Sequence, residues 1–227
     1  MTQNLQSVAG AAEGSGRIRD AFHDNSTMAG AVTPCFTPGT AIATPVGERP
    51  VEDLRPGDQV ITRDNGIQTI RWTGRRDLAA EQLARAADLQ PVLLRRGALG
   101  DGLPERDMML SPNHRVLVAN DRTALYFAEQ EVFAAAKYLI NHKGIEGAGP
   151  RPVRYVHFMC DRHEAVLSNG CWTESFQPSG AALQGMGNAQ RTEILDLFPE
   201  LRKASDDAAF PTARRALSEA EARALQR

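Results

Sequence analysis

Hydrophobic and polar positions divide the chain into three parts. Residues 1–32 are rich in Gly, Ala, Ser and polar residues without apolar periodicity, which predicts a flexible lead. Residues 33–178 alternate short apolar, β-branched runs with Gly, Pro and Asn turns, a pattern typical of strands. Residues 179–227 are richer in Ala, Leu, Glu and Arg, which favours helices over 188–203 and 212–227. We therefore expect an all-β domain with a short helical tail.

Within the β part, two turns are the clearest local signals. Two β-branched runs meet at Asp64-Asn65-Gly66, which predicts a hairpin, and Asn169-Gly170 predicts a second turn. A third turn is predicted where "LSPNHRVLV" passes through Ser-Pro-Asn. Two segments are less clearly β: residues 76–90 fit a short helix or a polar insertion, and residues 132–140 predict one or two helical turns. No repeat of the solenoid or propeller type is found.

Composition narrows the classes of function. The chain of 227 residues has a net charge of −2, which gives no general attraction to nucleic acid or to a membrane surface. No apolar run approaches the roughly 18 residues of a membrane span, and the N-terminus lacks the pattern of a signal peptide. We expect a cytoplasmic protein or one exported by a non-classical route. Metal-ligand spacings, phosphate loops and dinucleotide fingerprints are missing from the sequence, so no metal and no cofactor is expected.

Three short stretches hold residues capable of chemistry. Cys35 follows a proline at the start of the β part, Ser111 and His114 lie in "LSPNHRVLV", and Asp161 and His163 lie in "MCDRHEAVLSNG". A thiol, imidazoles and a carboxylate are the components of thiol nucleophilic chemistry, provided that a base generates the thiolate. The structural alternatives are a buried apolar cysteine, a turn histidine bonded to backbone, and a polar pair that fixes strands.

The remaining cysteines, histidines and tryptophans favour structural roles. Cysteine and tryptophan within apolar strand segments are typical core residues. We expect core positions for Cys160, Cys171, Trp72 and Trp172. Surface or structural positions are expected for His23, His142 and His157.

The three stretches occur in the order of a Hint domain, the fold of Hedgehog C-terminal domains and inteins. "CFTPGTAIATPVGERPVEDLRPGD" resembles the first block of that family, which begins with a nucleophilic cysteine. "SPNHRV" resembles the Thr-x-x-His block, and "RYVHFMCDRHEAVLSNG" resembles the late block with its histidine and Asn-Gly turn. The combination is most similar to the bacterial Hint subgroup outside inteins, over residues 33–178. The resemblance implies a horseshoe of short strands.

The resemblance also implies a reaction within the chain. Cys35 would attack the carbonyl of Pro34, and an N-to-S acyl shift would turn the peptide bond into a thioester. His114 would donate a proton to the departing nitrogen, while Ser111 would hold the amide by a hydrogen bond. Two further residues match positions near the family's active site, where they would orient the thiol or activate a second nucleophile: Asp161 and His163.

The sequence departs from inteins at two places. Inteins end in a His-Asn pair whose Asn cyclises, whereas Glu174-Ser175 stands there in this chain, so we expect no splicing. Pro34 crowds the carbonyl that Cys35 would attack, which slows the shift. The expected function is a single-turnover cleavage of the Pro34–Cys35 bond, with the chain's own N-terminal segment as substrate. The alternative is a catalytically silent Hint scaffold that acts in an interaction or in secretion.

Overall fold

The computed structural model describes residues 33–202 and 210–225, and these fold mostly into strands with few helices. The all-β fold class expected from the sequence is therefore confirmed. The predicted flexible lead, residues 1–32, lies outside the described residues. None of the helices in the described ranges has the length and apolarity that crossing a membrane requires.

Thirteen strands and five α-helices occur within the described residues. The strands are β1 (Ala41–Thr44), β2 (Gly47–Pro50), β3 (Gln59–Ile61), β4 (Ile67–Thr69), β5 (Trp72–Leu78), β6 (Val92–Leu94), β7 (Met108–Leu110), β8 (Arg115–Val118), β9 (Val132–Ala135), β10 (Ile145–Gly147), β11 (Val153–Met159), β12 (Ala165–Ser168) and β13 (Cys171–Glu174). The α-helices are α1 (Ala80–Arg85), α2 (Asp121–Phe127), α3 (Gly180–Gln184), α4 (Asn188–Leu197) and α5 (Glu219–Leu225). Single 3₁₀ turns cover Val51–Asp53, Ala87–Leu89, Ala136–Leu139 and Pro199–Arg202.

The strands form one large sheet and three small ones. The large sheet has six strands in the order β2-β1-β12-β13-β8-β9. A three-stranded sheet has the order β10-β6-β7, and the pairs β11-β5 and β3-β4 complete the set. All of the strand pairs are antiparallel, and β5 and β11 pair over seven residues each. This long ribbon carries one of the residues of the candidate site.

Both Gly-containing turns predicted from the sequence are confirmed. Gly66 closes the β3-β4 hairpin with a φ of 66°, and its carbonyl accepts the N–H of Thr62 at 2.8 Å. Asn169 and Gly170 join β12 to β13 with φ values of 44° and 80°. Positive φ at both central positions is what a tight two-residue hairpin requires, and Asn and Gly adopt it at low cost.

The two ambiguous segments, residues 76–90 and 132–140, contain more β-strand than their composition indicates. Residues 132–135 were predicted as helical turns, but they form β9, which is fully buried and pairs with β8, and only Ala136–Leu139 makes a 3₁₀ turn. Residues 76–78 complete β5 before α1 begins at Ala80. Cross-strand pairing and burial override the helical preference of alanine in β9.

The residue after the cysteine fixes the start of the domain. Phe36 donates its N–H to the carbonyl of Val156 at 2.7 Å and accepts the N–H of Val156 at 2.9 Å. It also forms a bridge with Leu110, and its ring stacks on Phe158 with centroids 5.7 Å apart. Because Phe36 is only 1% exposed, the preceding residue is held between β7 and β11.

The tail packs against the strands. Trp72 donates its indole N–H to Glu193 on α4 at 2.9 Å, and its ring belongs to a buried cluster that includes Ile194 and Phe198 of the tail. Residues 215–217 run beside β9, where Phe133 exchanges hydrogen bonds with Arg215 and Leu217. The helix predicted over 212–227 is therefore confined, within the described residues, to α5, because this stretch pairs with a sheet edge first.

Candidate functional site

Ser111 connects the two residues that flank Pro34. Its hydroxyl oxygen accepts the backbone N–H of Cys35 at 2.8 Å and donates to the carbonyl of Thr33 at 2.9 Å. Its own N–H donates to the Cys35 carbonyl at 2.9 Å. The turn after β7 therefore grips the backbone on both sides of the Pro34–Cys35 bond, with one hydroxyl on the nitrogen that cleavage would release.

The imidazole that touches the Cys35 thiol belongs to His157, which sequence reasoning assigned a surface or structural role. Sγ of Cys35 lies 3.3 Å from Nδ1 of His157, and the thiol donates to the carbonyl of Thr33 at 3.1 Å. Both Cys35 and His157 are 4% exposed. The second ring nitrogen of His157, Nε2, is buried without a hydrogen-bond partner among the described residues.

Gly74 makes the room that His157 occupies. The two residues face each other across the β5-β11 ribbon. A Cβ at position 74 would lie 2.4 Å from Nε2 of His157 and 2.3 Å from Cη2 of Trp72, far inside contact distance. The imidazole stacks on the Trp72 indole with centroids 5.1 Å apart. A glycine within a strand marks a close approach of this kind, so "RWTGRR" held a usable signal.

Burial keeps the thiol and imidazole neutral. It raises the pKa of the Cys35 thiol well above its usual range, and the hydrogen bond with Ser111 and the positive charge of Arg76 offset this only in part. Burial, aided by Arg76, lowers the pKa of His157 to about 3. At pH 7 the resting pair is therefore a thiol beside a neutral imidazole. The thiol hydrogen points to the Thr33 carbonyl, and it must turn toward Nδ1 of His157, 3.3 Å from the sulfur, before His157 can accept it.

His114 lies in the same buried region. Its ring is 1% exposed, packs edge-on against Phe36 with centroids 4.3 Å apart, and leaves both ring nitrogens without a hydrogen-bond partner in the described structure. Burial lowers the pKa of His114 to about 4, while the charge of Glu174 and the backbone of Cys35 favour the charged ring. The ring is therefore neutral at rest and lies near the Cys35 backbone, and it could act as a general acid only after gaining a proton.

A buried carboxylate organises His163. Nδ1 of His163 accepts the N–H of Ala213 at 3.0 Å, so Nε2 carries the hydrogen that it donates to Glu174 at 3.0 Å. Arg115 contributes its N–H at 2.8 Å and its guanidinium at 3.1 Å to the same carboxylate. Burial alone raises the pKa of Glu174, but these partners reverse the effect and hold it below its usual range. His163 contacts Glu174 and the tail, and not the thiol.

Asp161 is separate from this buried group. Its side chain is 60% exposed and forms an ion pair with Arg71 at 3.5 Å. The structure gives no contact that would let it orient Cys35, so its role in the site stays a prediction. Cys160 and Cys171 are buried free thiols, as expected for core residues. Within residues 33–202 and 210–225, no cluster of His, Cys, Asp and Glu has the arrangement of a metal site.

The comparison with protein families decides the classification. The family model described as "Hint domain" matches residues 34–180, well over half of the sequence. The chain belongs to the Hint domain family. The matched region begins directly before Cys35, and it contains Ser111, His114 and His157. A search of curated proteins found no match.

Solved structures similar to this Hint domain include inteins. The bacterial intein-like domain from Clostridium thermocellum is 17% identical, with a TM-score of 0.41 over 62% of this chain and 97% of that chain. A DnaB intein from Synechocystis sp. PCC 6803 is 10% identical, with a TM-score of 0.39 over 63% of this chain and 99% of that chain. The gp41-1 intein is 12% identical, with a TM-score of 0.36 over 62% of this chain and 97% of that chain.

Proposed function

We propose that this Hint domain cleaves its own Pro34–Cys35 bond once, through an N-to-S acyl shift at Cys35, and does not splice. The proposal rests mainly on the two hydrogen bonds of the Ser111 hydroxyl, which accepts the Cys35 N–H and donates to the Thr33 carbonyl. A serine that held only the fold would not need to bind the backbone on both sides of one peptide bond. The substrate is the segment of the chain before Cys35.

The acyl shift is an isomerisation in which every proton is accounted for. Sγ of Cys35 attacks the carbonyl carbon of Pro34 while the thiol proton passes to Nδ1 of His157, 3.3 Å away. The C–N bond of the tetrahedral adduct then breaks, and the amide nitrogen takes up one proton and becomes the free amine of Cys35. The product is a thioester between Pro34 and Cys35.

The proton for the departing nitrogen comes through an imidazole. His114 is near the Cys35 backbone and faces the field of Glu174, which favours its charged form. The negative charge that develops on the adduct favours protonation of His114 further, so this ring takes up a proton from solvent and delivers it to nitrogen. His157 releases the thiol proton to solvent, and the net change is the transfer of one proton from sulfur to nitrogen. Water or another nucleophile then breaks the C–S bond and restores the thiol.

The C-terminal side supports cleavage without splicing. At the place of the cyclising pair, Glu174 is bound to Arg115 and His163, and Ser175 accepts the N–H of Glu164 through its hydroxyl at 2.9 Å. A serine side chain has no amide nitrogen that could attack the backbone and form a succinimide. We expect no product that ends near Ser175.

Intact-mass analysis with and without dithiothreitol or hydroxylamine tests the proposal. We expect thiol treatment to release a fragment that ends at Pro34 and leave a product that starts at Cys35, and we expect Cys35→Ala to stay whole. Pro34→Gly should cleave faster because the crowding at the carbonyl is relieved. His114→Ala added to Pro34→Gly should slow release by about 10²- to 10⁴-fold. A folded Pro34→Gly protein that stays whole over a range of pH would overturn the proposal.

A second candidate is a silent Hint scaffold that works as an interaction or secretion module. It is favoured by the burial of Cys35, which holds its thiol protonated, and by the proline at position 34. A thiol with so high a pKa attacks only when proton transfer accompanies bond formation. The same mass experiment separates the two candidates, because the scaffold keeps its full mass under every thiol treatment.

A further inference from the structure

A cleft of about 290 Å³ opens beside the proposed scissile bond. Pro34 forms part of its wall, and Gln177 and Leu217 line it from the end of the β part and from the tail. Two cationic side chains, Arg115 and Lys137, line it as well. Carboxylate side chains are missing from the lining among the described residues. The volume is large enough for a molecule of amino-acid size but not for a folded partner.

The positive charge of the cleft comes mainly from Lys137. The guanidinium of Arg115 is matched by the buried carboxylate of Glu174 and also donates to Gln177 at 3.1 Å. Lys137 forms no ion pair with any described residue, and its ammonium lies 4.9 Å from the centroid of the Tyr138 ring. The cleft therefore presents one cation that no acid of residues 33–202 and 210–225 neutralises.

The backbone places Lys137 close to the residues that hold the scissile bond. Its N–H donates to the carbonyl of Pro112 at 3.0 Å, and Pro112 directly follows Ser111. The next residue back, Ala136, donates its N–H to the carbonyl of His114 at 2.9 Å. The 3₁₀ turn after β9 thus carries Lys137 on the same support as Ser111 and His114.

We propose that this cleft binds the nucleophile that opens the Pro34 thioester, and that this nucleophile is a small molecule bearing a carboxylate. The inference rests on the proposed function, since the thioester must form first. Lys137 attracts the carboxylate, and the neighbouring amine or thiol attacks the carbonyl carbon of Pro34. The C–S bond to Cys35 breaks, and the sulfur takes up the proton that the nucleophile loses.

L-cysteine and cysteamine form a matched pair of probes, because they carry the same amine and thiol and differ by one carboxylate. Each thiol exchanges with the thioester, and each amine then takes the acyl group in an amide bond. In the intact chain at low salt we expect L-cysteine to release the N-terminal fragment up to about fivefold faster than cysteamine at equal subsaturating concentration. The preference should shrink as sodium chloride is raised.

Two lysine variants test where that preference arises. K137E should abolish or reverse the ratio of the two rates, because it replaces attraction of the carboxylate by repulsion. K143E makes the same charge change at an exposed lysine that does not line the cleft, and it should keep the ratio of the intact chain. Equal rates with the two probes in the intact chain, or a ratio unaffected by K137E, would overturn the inference while leaving cleavage itself in place.

A binding measurement tests whether the cleft is a carboxylate site even if no cleavage occurs. Without release by either probe, the proposed function fails, and isotope-labelled Cys35→Ala protein is titrated with S-methyl-L-cysteine and with S-methylcysteamine. Neither compound has a free thiol. Shifts of the backbone signals of Lys137 and Leu217 with the carboxylate compound alone would support the cleft as a carboxylate site. Unmoved signals, or equal shifts with both compounds, would overturn it.

Discussion

Acid should destabilise this Hint domain because two buried histidines are neutral. Burial lowers the pKa of His114 to about 4 and that of His157 to about 3, whereas both would be near 6.5 in the unfolded chain. As the pH falls below about 6.5, the unfolded chain takes up protons that the folded chain does not. The stability that the neutral rings contribute is complete above the unfolded pKa and is lost as the pH falls toward about 4 and 3.

The size of the effect follows from the two pKa differences. A pH of 5 lies about 1.5 units below the unfolded pKa, so the rings are largely protonated in the unfolded chain and largely neutral in the folded one. At about 1.4 kcal/mol per unit, each ring lowers the free energy of unfolding by about 2 kcal/mol relative to pH 7.5. Two rings together cost about 4 kcal/mol, a large share of the 5–15 kcal/mol typical of a domain.

Urea unfolding at pH 7.5 and pH 5.0, followed by circular dichroism, measures the difference. His157→Gln keeps a polar group beside the thiol but does not titrate, so it should remove about 2 kcal/mol of the pH dependence. His142→Asn is the matched control: His142 is exposed with a φ of 54°, a conformation that asparagine tolerates, and the pH dependence should stay as it is in the unaltered chain. If His157→Gln loses as much stability at pH 5.0 as the unaltered chain does, the neutral state of His157 is not the cause.

Three further substitutions test the packing of the site. Gly74→Ala should lower the free energy of unfolding by about 1–3 kcal/mol and slow cleavage, because the new Cβ displaces the imidazole of His157; Gly147→Ala, with open space at its Cβ, is the control, and equal losses by urea unfolding would contradict the argument. Ser111→Ala should slow fragment release in mass analysis and cost about 1–3 kcal/mol, because the Cys35 N–H loses its acceptor, and unchanged release would remove the serine from the mechanism. Glu174→Gln should cost about 1–3 kcal/mol by urea unfolding, since the half-buried guanidinium of Arg115 loses its counter-ion; a loss below about 0.5 kcal/mol would show that the ion pair contributes little.

Local chemistry explains what the sequence predicted correctly. The turn at Asn169-Gly170 follows from two residues that accept positive φ, and it needs no knowledge of distant partners. The stretch with Ser111 and His114 could be connected to Cys35 through the family pattern. The structure adds the atoms by which Ser111 holds the backbone and shows His114 buried without a hydrogen-bond partner in the described part of the chain.

Long-range pairing explains what the sequence did not yield. His157 meets Cys35 because Phe36 pairs with Val156 on β11, which sets the preceding Cys35 beside His157. The register of β5 against β11 then places Gly74 where the imidazole needs room. One histidine in an apolar strand has no local feature that separates a ligand of the thiol from a core residue. The partners of His163 were equally hidden. Glu174 lies at the end of β13 and comes close only when the strands pair, and the second hydrogen bond comes from Ala213 in the tail.

The site contains a neutral buried pair and a charged network, and their arrangement determines which step limits the rate of the proposed reaction. Cys35 and His157 form a neutral pair in an apolar pocket, where separating a thiolate from an imidazolium is strongly disfavoured. Glu174 and its partners form a charged network that acts on His114 through its field. A proton must leave sulfur in the neutral pair and reach nitrogen with help from the charged network. The barrier to the proposed shift therefore lies in coupling the proton transfer to the attack on the carbonyl. Strain or polarisation at the Pro34 carbonyl makes that attack easier, so we expect it to accelerate the shift more than a lower pH would.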